Sequence, residues 1–462
     1  MGVAGILFRI FICSPPQGDP SVREGRNCGK LIWYFYIHIT MQVAKSLMFK
    51  VSKKINMRKF LAIRDFVNIC QSIARIYSSY ILENKLHEKL IDSITAKDLK
   101  NILHEKFYRQ IKESFDVSSQ TVQEIRDVVV EVYNSWAKLY KQFLDKKIDR
   151  EPSLPKVERF TVRMNYPRVV SIFEHGKEFP FFFKVKLNGT DKRYAIPVEC
   201  GEHQRKMLRD ALNGKYKIGA IQLVKRDGWY YFIVPIKKEV VIEEKENVVG
   251  VDIGLRYQAV ITVLHRDGKI SDIEFIKYRR LLDKIRYLWK RIDWLKSQLP
   301  EGQRSSKQIR RLWRKIRRIN NWIAHNISKR IVEVAKENNA MIGIEDLRHL
   351  RPRKGKMRKE MNRELANWVH GKIRKYVIYK ANWDGIPVRL VDARDTSKRC
   401  HICGAVGYRK GVIFSCREHS YTSNADFNAS VNIGIRAMFP NAWGIVNMPA
   451  PSRCKAPCVS EG

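Results

Sequence analysis

The sequence predicts a multidomain α/β protein, and three changes of pattern along the chain carry that expectation. From residue 58 to about residue 150, apolar residues such as Ile63, Phe66, Val67, Cys70, Ile73 and Tyr77, and again Val122 through Phe143, recur at three- and four-residue spacing, which predicts a bundle of about four helices. From Arg159 to about Glu239 the period shortens to alternation in runs such as FTVRM, FFFKVKL and WYYFIVPI, with Asp227-Gly228 at a hairpin turn, so this stretch is expected to be a small antiparallel β-barrel. Beyond residue 245, short apolar strands alternate with long helical patterns, which predicts a mixed α/β core.

Each segment has its own justification. Residues 3 to 13 are apolar but broken by Arg9 and lack a small-residue cleavage pattern, so the first forty residues are expected to be an extension with little structure or an upstream start, not a signal peptide. Val43, Met48, Phe49 and Val51, interspersed with lysines, predict a first barrel strand within residues 41 to 57. The helical domain is expected over 58–150, the barrel over 155–243, the core over 245–439 and a tail over 440–462.

Within the core, two stretches share one signature. Val248-Val-Gly-Val-Asp252 and Ala340-Met-Ile-Gly-Ile-Glu345 are short apolar strands that end in a carboxylate, where a side chain can point into a cleft at a sheet edge. Between them a helical hairpin is expected over 279–338. One seam runs through Leu281, Ile285, Leu288, Ile292 and Leu295, a turn lies near Pro300, and the second seam runs through Ile309, Leu312, Ile316, Ile319 and Ile323. The second helix carries Arg310, Arg311, Arg314, Arg317 and Arg318 without interleaved acids, a repulsion that a phosphate backbone would relieve. A basic loop over 351–359, a helix from about Asn362 to Trp383 and a strand at Val388 to Val391 follow; Asp392 and Asp395 suit turn and capping roles.

Charge bounds the partner. The 462 residues hold 88 Lys+Arg against 47 Asp+Glu, a net +41 spread over most of the length, which predicts a polyanion and among polyanions a nucleic acid. The 44% apolar share is that of an ordinary globular chain, and no apolar run reaches the roughly 18 residues of a membrane span. Nine cysteines in a chain this long do not form a disulfide scaffold, so a reducing interior is expected.

Two ligand sets then stand out. Cys400-x-x-Cys403 and Cys416-x-x-His419, separated by a basic hairpin-like stretch, match a closed tetrahedral zinc site within a ribbon at 398–421; His401, Cys454 and Cys458 are rival ligands with poorer spacing. Directly after the ribbon, Asp426 opens a polar helix. Any one of Asp252, Glu345 and Asp426 is more often structural than functional. Brought together by a sheet, the three would repel unless divalent cations neutralised them, and hard oxygen donors suit Mg²⁺ or Mn²⁺. Two such ions about 4 Å apart hydrolyse phosphodiesters, which is what an RNase H-like nuclease core needs.

The segments GVDIG, GIEDL, TSKRCHICG and ADFNASVNI, in this order, resemble the RuvC motifs and embedded zinc ribbon of the transposon-encoded TnpB (OrfB) family, relatives of the type V CRISPR effectors. The resemblance covers about Met41 to Phe439 and is dense only after residue 245. It implies an RNA-guided DNA endonuclease of an insertion sequence in a prokaryotic interior, associated with the nucleoid, with guide RNA and target DNA as partners. It implies Asp252, Glu345 and Asp426 as ligands of two Mg²⁺ or Mn²⁺ ions, Cys400, Cys403, Cys416 and His419 as ligands of one structural Zn²⁺, and the helical and barrel segments as recognition and wedge elements.

Three departures qualify the match: His419 where the family usually has Cys, Lys398 and Ser430 where smaller residues are common, and forty N-terminal residues without a counterpart. A compact CRISPR effector is the near alternative and a non-catalytic nucleic-acid-binding regulator the distant one. Proteins of this family are often named transposases, but no His-hydrophobic-His arrangement with a catalytic Tyr is read here for strand transfer.

Overall fold

A computed structural model describes residues 9–10, 39–157, 161–176, 179–190, 192–347 and 369–448. Most of the expected N-terminal extension, the basic loop 351–359, the start of the helix expected at Asn362, and Cys454 and Cys458 lie outside these residues. The chain divides into two compact units, one over Val43–Lys238 and one formed chiefly by the chain from Glu239 onward.

In the first unit, four helices run over Met57–Glu83, Leu86–Asp92, Ala96–Ser114 and Ser119–Leu144. Their starts are written in the sequence: the side chains of Asn56, Thr95 and Ser118 accept backbone N–H groups of the first turns, and Thr95 forms a reciprocal capping box with Asp98. Ile63, Phe66, Ile73, Tyr77, Val122, Val129 and Tyr133 are buried between the helices, and the buried hydroxyls of Ser78 and Tyr133 satisfy each other in a 2.7 Å hydrogen bond. The alternating segment and the strand before the helices, Ile39–Val51, pair in the order Val162–Met164, Ile221–Arg226, Trp229–Ile242, Ile39–Val51, Arg193–Glu199, Phe181–Lys186, Val170–Glu174. Phe181, Phe183 and Val185 are buried while the residues between them are half-buried, the burial that period-two alternation predicts. A helix at Glu202–Leu212 interrupts the strands and was not expected from the alternation around it.

The second unit is built on a five-stranded sheet. Its elements are β1 (Asn247–Asp252), β2 (Ala259–Leu264), β3 (Ile270–Ile276), α1 (Arg279–Ser297), α2 (Lys307–Glu337), β4 (Ala340–Glu345), α3 (His370–Trp383), β5 (Val388–Val391), the ribbon strands β6 (Tyr408–Lys410), β7 (Ile413–Ser415) and β8 (Thr422–Asn424), and α4 (Ala425–Met438). The strand order is β3-β2-β1-β4-β5, antiparallel over the first three and parallel from β1 to β5. β1 and β4 are buried on both faces, which is why they read as unbroken apolar runs.

One face packs Val249, Val251, Ile261 and Ile344 against Ile285 and Ile292 of α1, Ile316 and Ile323 of α2 and Ile373 of α3. The opposite face packs Val248, Leu264 and Met341 against Val431, Ile433 and Ile435 of α4. This second contact is unusually close because Gly250 and Gly343 stand opposite each other in the β1–β4 register. A Cβ on Gly250 would collide with the Ser430 carbonyl oxygen, and one on Gly343 would lie 2.6 Å from Ala437 Cβ. The two glycines therefore form a seat that fixes the depth and direction of α4.

Candidate active site and metal centre

The sheet places two of the three expected carboxylates side by side. Asp252 ends β1, Glu345 ends β4, and these strands are parallel neighbours with Val251 paired to Ile344. The glycine seat then brings the first turn of α4, with the buried Asp426, to the same sheet edge. Burial holds the Asp252 carboxyl well above the usual aspartate range, the charges of Glu345 and Asp426 push it further, and the Arg409 guanidinium partly offsets them. Glu345 is also raised by burial, against a hydrogen bond that Thr396 Oγ1 donates to its Oε1 at 2.5 Å. Asp392 adds negative charge near Glu345 but uses its own Oδ1 to accept the Arg394 N–H at 3.0 Å, the turn role expected for it.

Three carboxylates at one sheet edge, with Asp252 raised by the charges of the other two, are short of positive charge. An oxygen donor set of this kind suits hard divalent cations such as Mg²⁺ or Mn²⁺. Asp346, next in the chain to Glu345, is not part of the set: the Arg374 guanidinium donates to its Oδ1 at 2.6 Å.

The third carboxylate is held from two sides. Asn424, the last residue of β8, accepts the backbone N–H groups of Asp426 and Phe427 at 2.9 and 3.3 Å and so starts the helix at that point. Arg409 in β6 donates from Nη2 to Asp426 Oδ1 at 3.0 Å. Sequence reasoning missed Arg409, because one arginine in the basic run Tyr408-Arg-Lys carries no signal that singles it out before the ribbon is folded. It also missed Thr396, Asn424 and the asparagines of α4. Asn428 and Asn432 both donate to the Arg399 carbonyl at 2.7 Å, and Asn432 donates to the Thr396 carbonyl at 2.9 Å. The polar face of ADFNASVN thereby anchors the entry into the ribbon.

The ribbon brings its four expected ligands together. The donor atoms of Cys400, Cys403, Cys416 and His419 all lie within 4.8 Å of one another, and three sulfurs with one imidazole fit tetrahedral zinc with no open position. Cys400 packs with Phe414 and Ala425, and burial pushes its thiol up to about 11, so loading of zinc there would displace a proton. His401 is not a fifth donor: its backbone N–H and its Nδ1 both bond the Asn428 Oδ1, at 3.0 and 2.9 Å. Of the arginines expected to meet a phosphate backbone, Arg310, Arg311, Arg317 and Arg318 are exposed on α2 and Arg314 is half-buried.

Two family models match the chain beyond residue 231. Residues 232–354 match the family model described as "Probable transposase" (OrfB of IS605), and residues 370–433 match the one described as "Cas12f1-like, TNB domain". The chain is 32% identical over 251 residues to a TnpB-like protein of Aquifex aeolicus, covering 49% of this chain and 80% of that protein. It is 26% identical over 257 residues to a TnpB-like protein of Methanocaldococcus jannaschii, covering 54% of this chain and 89% of that one. It is 30% identical over 270 residues to a CRISPR-associated endodeoxyribonuclease Cas12f1 of Sulfoacidibacillus thermotolerans, of which it spans 61%. Among solved structures, the protein of a Cas12f1–sgRNA–target DNA complex shares the fold with a TM-score of 0.59 at 14% identity, over 85% of this chain and 99% of that one.

Proposed function

This chain belongs to the TnpB-like family, and from that premise we propose that it is an RNA-guided, metal-dependent DNA endonuclease of an insertion sequence, with a guide RNA and a target DNA as partners. The observation that carries the reading is the convergence of Asp252 and Glu345, at the ends of neighbouring parallel strands, with Asp426 in the first turn of α4, where the charges of Glu345 and Asp426 raise the Asp252 carboxyl. That strand order, with the ribbon entering just before α4, supports an RNase H-like core of the RuvC type. The zinc ribbon acts as structure: it ends in Asn424 and supplies Arg409, and both fix Asp426 without donating a ligand to the reaction.

In this reading Asp252, Glu345 and Asp426 hold two Mg²⁺ or Mn²⁺ ions. Bound there, the ions would activate a water and stabilise the departing oxygen of a phosphodiester. Thr396 fixes the orientation of Glu345 through its hydroxyl, and Arg409 keeps the Asp426 carboxylate pointed at its neighbours. The arginine face of α2 contacts backbone phosphate, and the Val43–Lys238 unit supplies the recognition helices and a wedge-like barrel. Base pairing with the guide would carry the sequence information while the protein reads shape and a short adjacent motif.

The match of residues 370–433 to the Cas12f1-like TNB model favours one second reading, a compact CRISPR effector. Sequencing the RNA that co-purifies with the protein tests both. RNA derived from a transposon end supports the first reading, RNA with a CRISPR repeat supports the second, and a protein that retains no RNA and cuts no guided target contradicts both.

A further inference from the structure

The register of the sheet leads outward from Asp252 to an exposed pair of aromatic rings. Asp252 pairs with Val260, and Val260 pairs with Phe275 on the edge strand β3. Side chains of paired residues leave a sheet on the same face, so all three point to the face that Gly250 presents to α4. Glu274, one residue out of step, points to the other face and binds Arg330 of α2 at 2.9 Å, which confirms the assignment. Two strand spacings put the Phe275 backbone about 10 Å from that of Asp252.

α4 covers the inner strands on this face but leaves β3 open: Ile273 and Phe275 are 49% and 42% exposed. Apolar side chains left in water beside a carboxylate cluster point to a ligand with an apolar surface. The Tyr257 ring packs against Phe275 at 5.0 Å, inclined by 63°, and the Lys277 ammonium lies 5.6 Å from the Tyr257 ring centre. The loop that presents Tyr257 is fixed in place. Gly254 donates its N–H to the Tyr257 carbonyl at 3.1 Å, and the Gln258 amide joins the Leu255 carbonyl to the Tyr278 N–H at 3.0 and 2.9 Å. Such a platform is organised before anything binds and loses little freedom when covered.

We propose that Tyr257 and Phe275 are a stacking platform for an unpaired nucleobase of the strand whose phosphodiester lies at Asp252. The proposal rests on the nuclease reading and adds to it the two side chains that would hold a base of the strand beside the site. A paired base hides its faces in the helical stack, whereas an unpaired base offers a π-face to aromatic side chains without regard to sequence. The flanking cations Arg256 and Lys277 suit the phosphates on either side of that base. The same chemistry is offered by an unpaired stretch of DNA or of RNA, and the two are separated by testing both strands.

The test uses the full chain with its co-purified RNA, in Ca²⁺ to suppress cleavage, and single-stranded DNA or RNA target strands carrying 2-aminopurine at successive positions. Stacking quenches that base at one position in the wild type. Phe275→Ala and Phe275→Leu are expected to abolish the quenching and weaken binding about tenfold, and Phe275→Trp to preserve both. Quenching by only the DNA or only the RNA strand identifies the source. Quenching unchanged in Phe275→Ala and Phe275→Leu, or no quenched position in the wild type, overturns the platform; a chain whose association state changes with Phe275→Ala while no position is quenched overturns it in favour of self-association. If the wild type quenches yet cleaves no guided target in Mg²⁺ or Mn²⁺, the nuclease reading fails and the platform stands.

Discussion

Arg409 of the ribbon donates from Nη2 to Asp426 Oδ1 at 3.0 Å, and its charge also lowers the proton affinity of Asp252 and Glu345. One guanidinium thus serves as a counter-cation to a cluster of three carboxylates.

Arg409→Ala should therefore cost more stability in EDTA than in Mg²⁺ or Mn²⁺, because the ions supply the positive charge that the variant lacks. Arg409 is 35% exposed in its side chain and Asp426 9%, so the loss in EDTA should be about 1–2 kcal/mol after solvent screening. Paired melting curves measure it. An equal loss with and without metal contradicts the counter-cation role.

The pH dependence follows from Asp252. Its folded carboxyl is held above the usual range, so the folded metal-free chain keeps a proton that the unfolded chain has released. The stability from this group is full below the ordinary aspartate range and is lost as pH rises through the raised value. Divalent ions remove that loss, so the gap in melting temperature between Mg²⁺ and EDTA should widen from about pH 5 to about pH 8. A gap that stays constant over this range contradicts the assignment.

Zinc and the reaction should be coupled through Asn424 and Arg409 rather than through a shared ligand. Cys403→Ser is expected to lose the metal, measured by elemental analysis, and to lose stability and cleavage together. A variant that lost zinc yet cleaved at the wild-type rate would separate the ribbon from Asp426.

The seat under α4 gives a graded test. In Gly343→Ala the new Cβ meets a side-chain methyl at 2.6 Å, which the core can partly absorb, at about 1–3 kcal/mol. In Gly250→Ala it meets the Ser430 backbone carbonyl, which cannot turn aside, and the loss should be larger. Urea unfolding ranks the two, and the reverse order contradicts the packing described.

How much of this could be read from the chain depends on how local each cause is. Asp252 and Glu345 were legible because a strand buried on both faces must be apolar until it leaves the sheet, so the first carboxylate marks its end. The Cys/His cluster was legible because two x₂ spacings suffice to aim sulfur and nitrogen at one point. The helix Glu202–Leu212 was hidden because strands surround it on both sides and it is barely three turns long. Arg409, Thr396 and Asn428 were hidden for another reason: each acquires its partner only when the ribbon and α4 are folded against the sheet. Phe275 read as one more strand residue, and only the register places it in line with Asp252.

The most direct measurement is cleavage of a target matched to the co-purified RNA, in Mg²⁺ or Mn²⁺, by the wild type and by Asp252→Ala. The wild type should cut, and Asp252→Ala should bind the same RNA with unchanged affinity and leave the DNA intact. Full cleavage by Asp252→Ala would contradict the assignment of the carboxylates, and with it the proposed chemistry of the site.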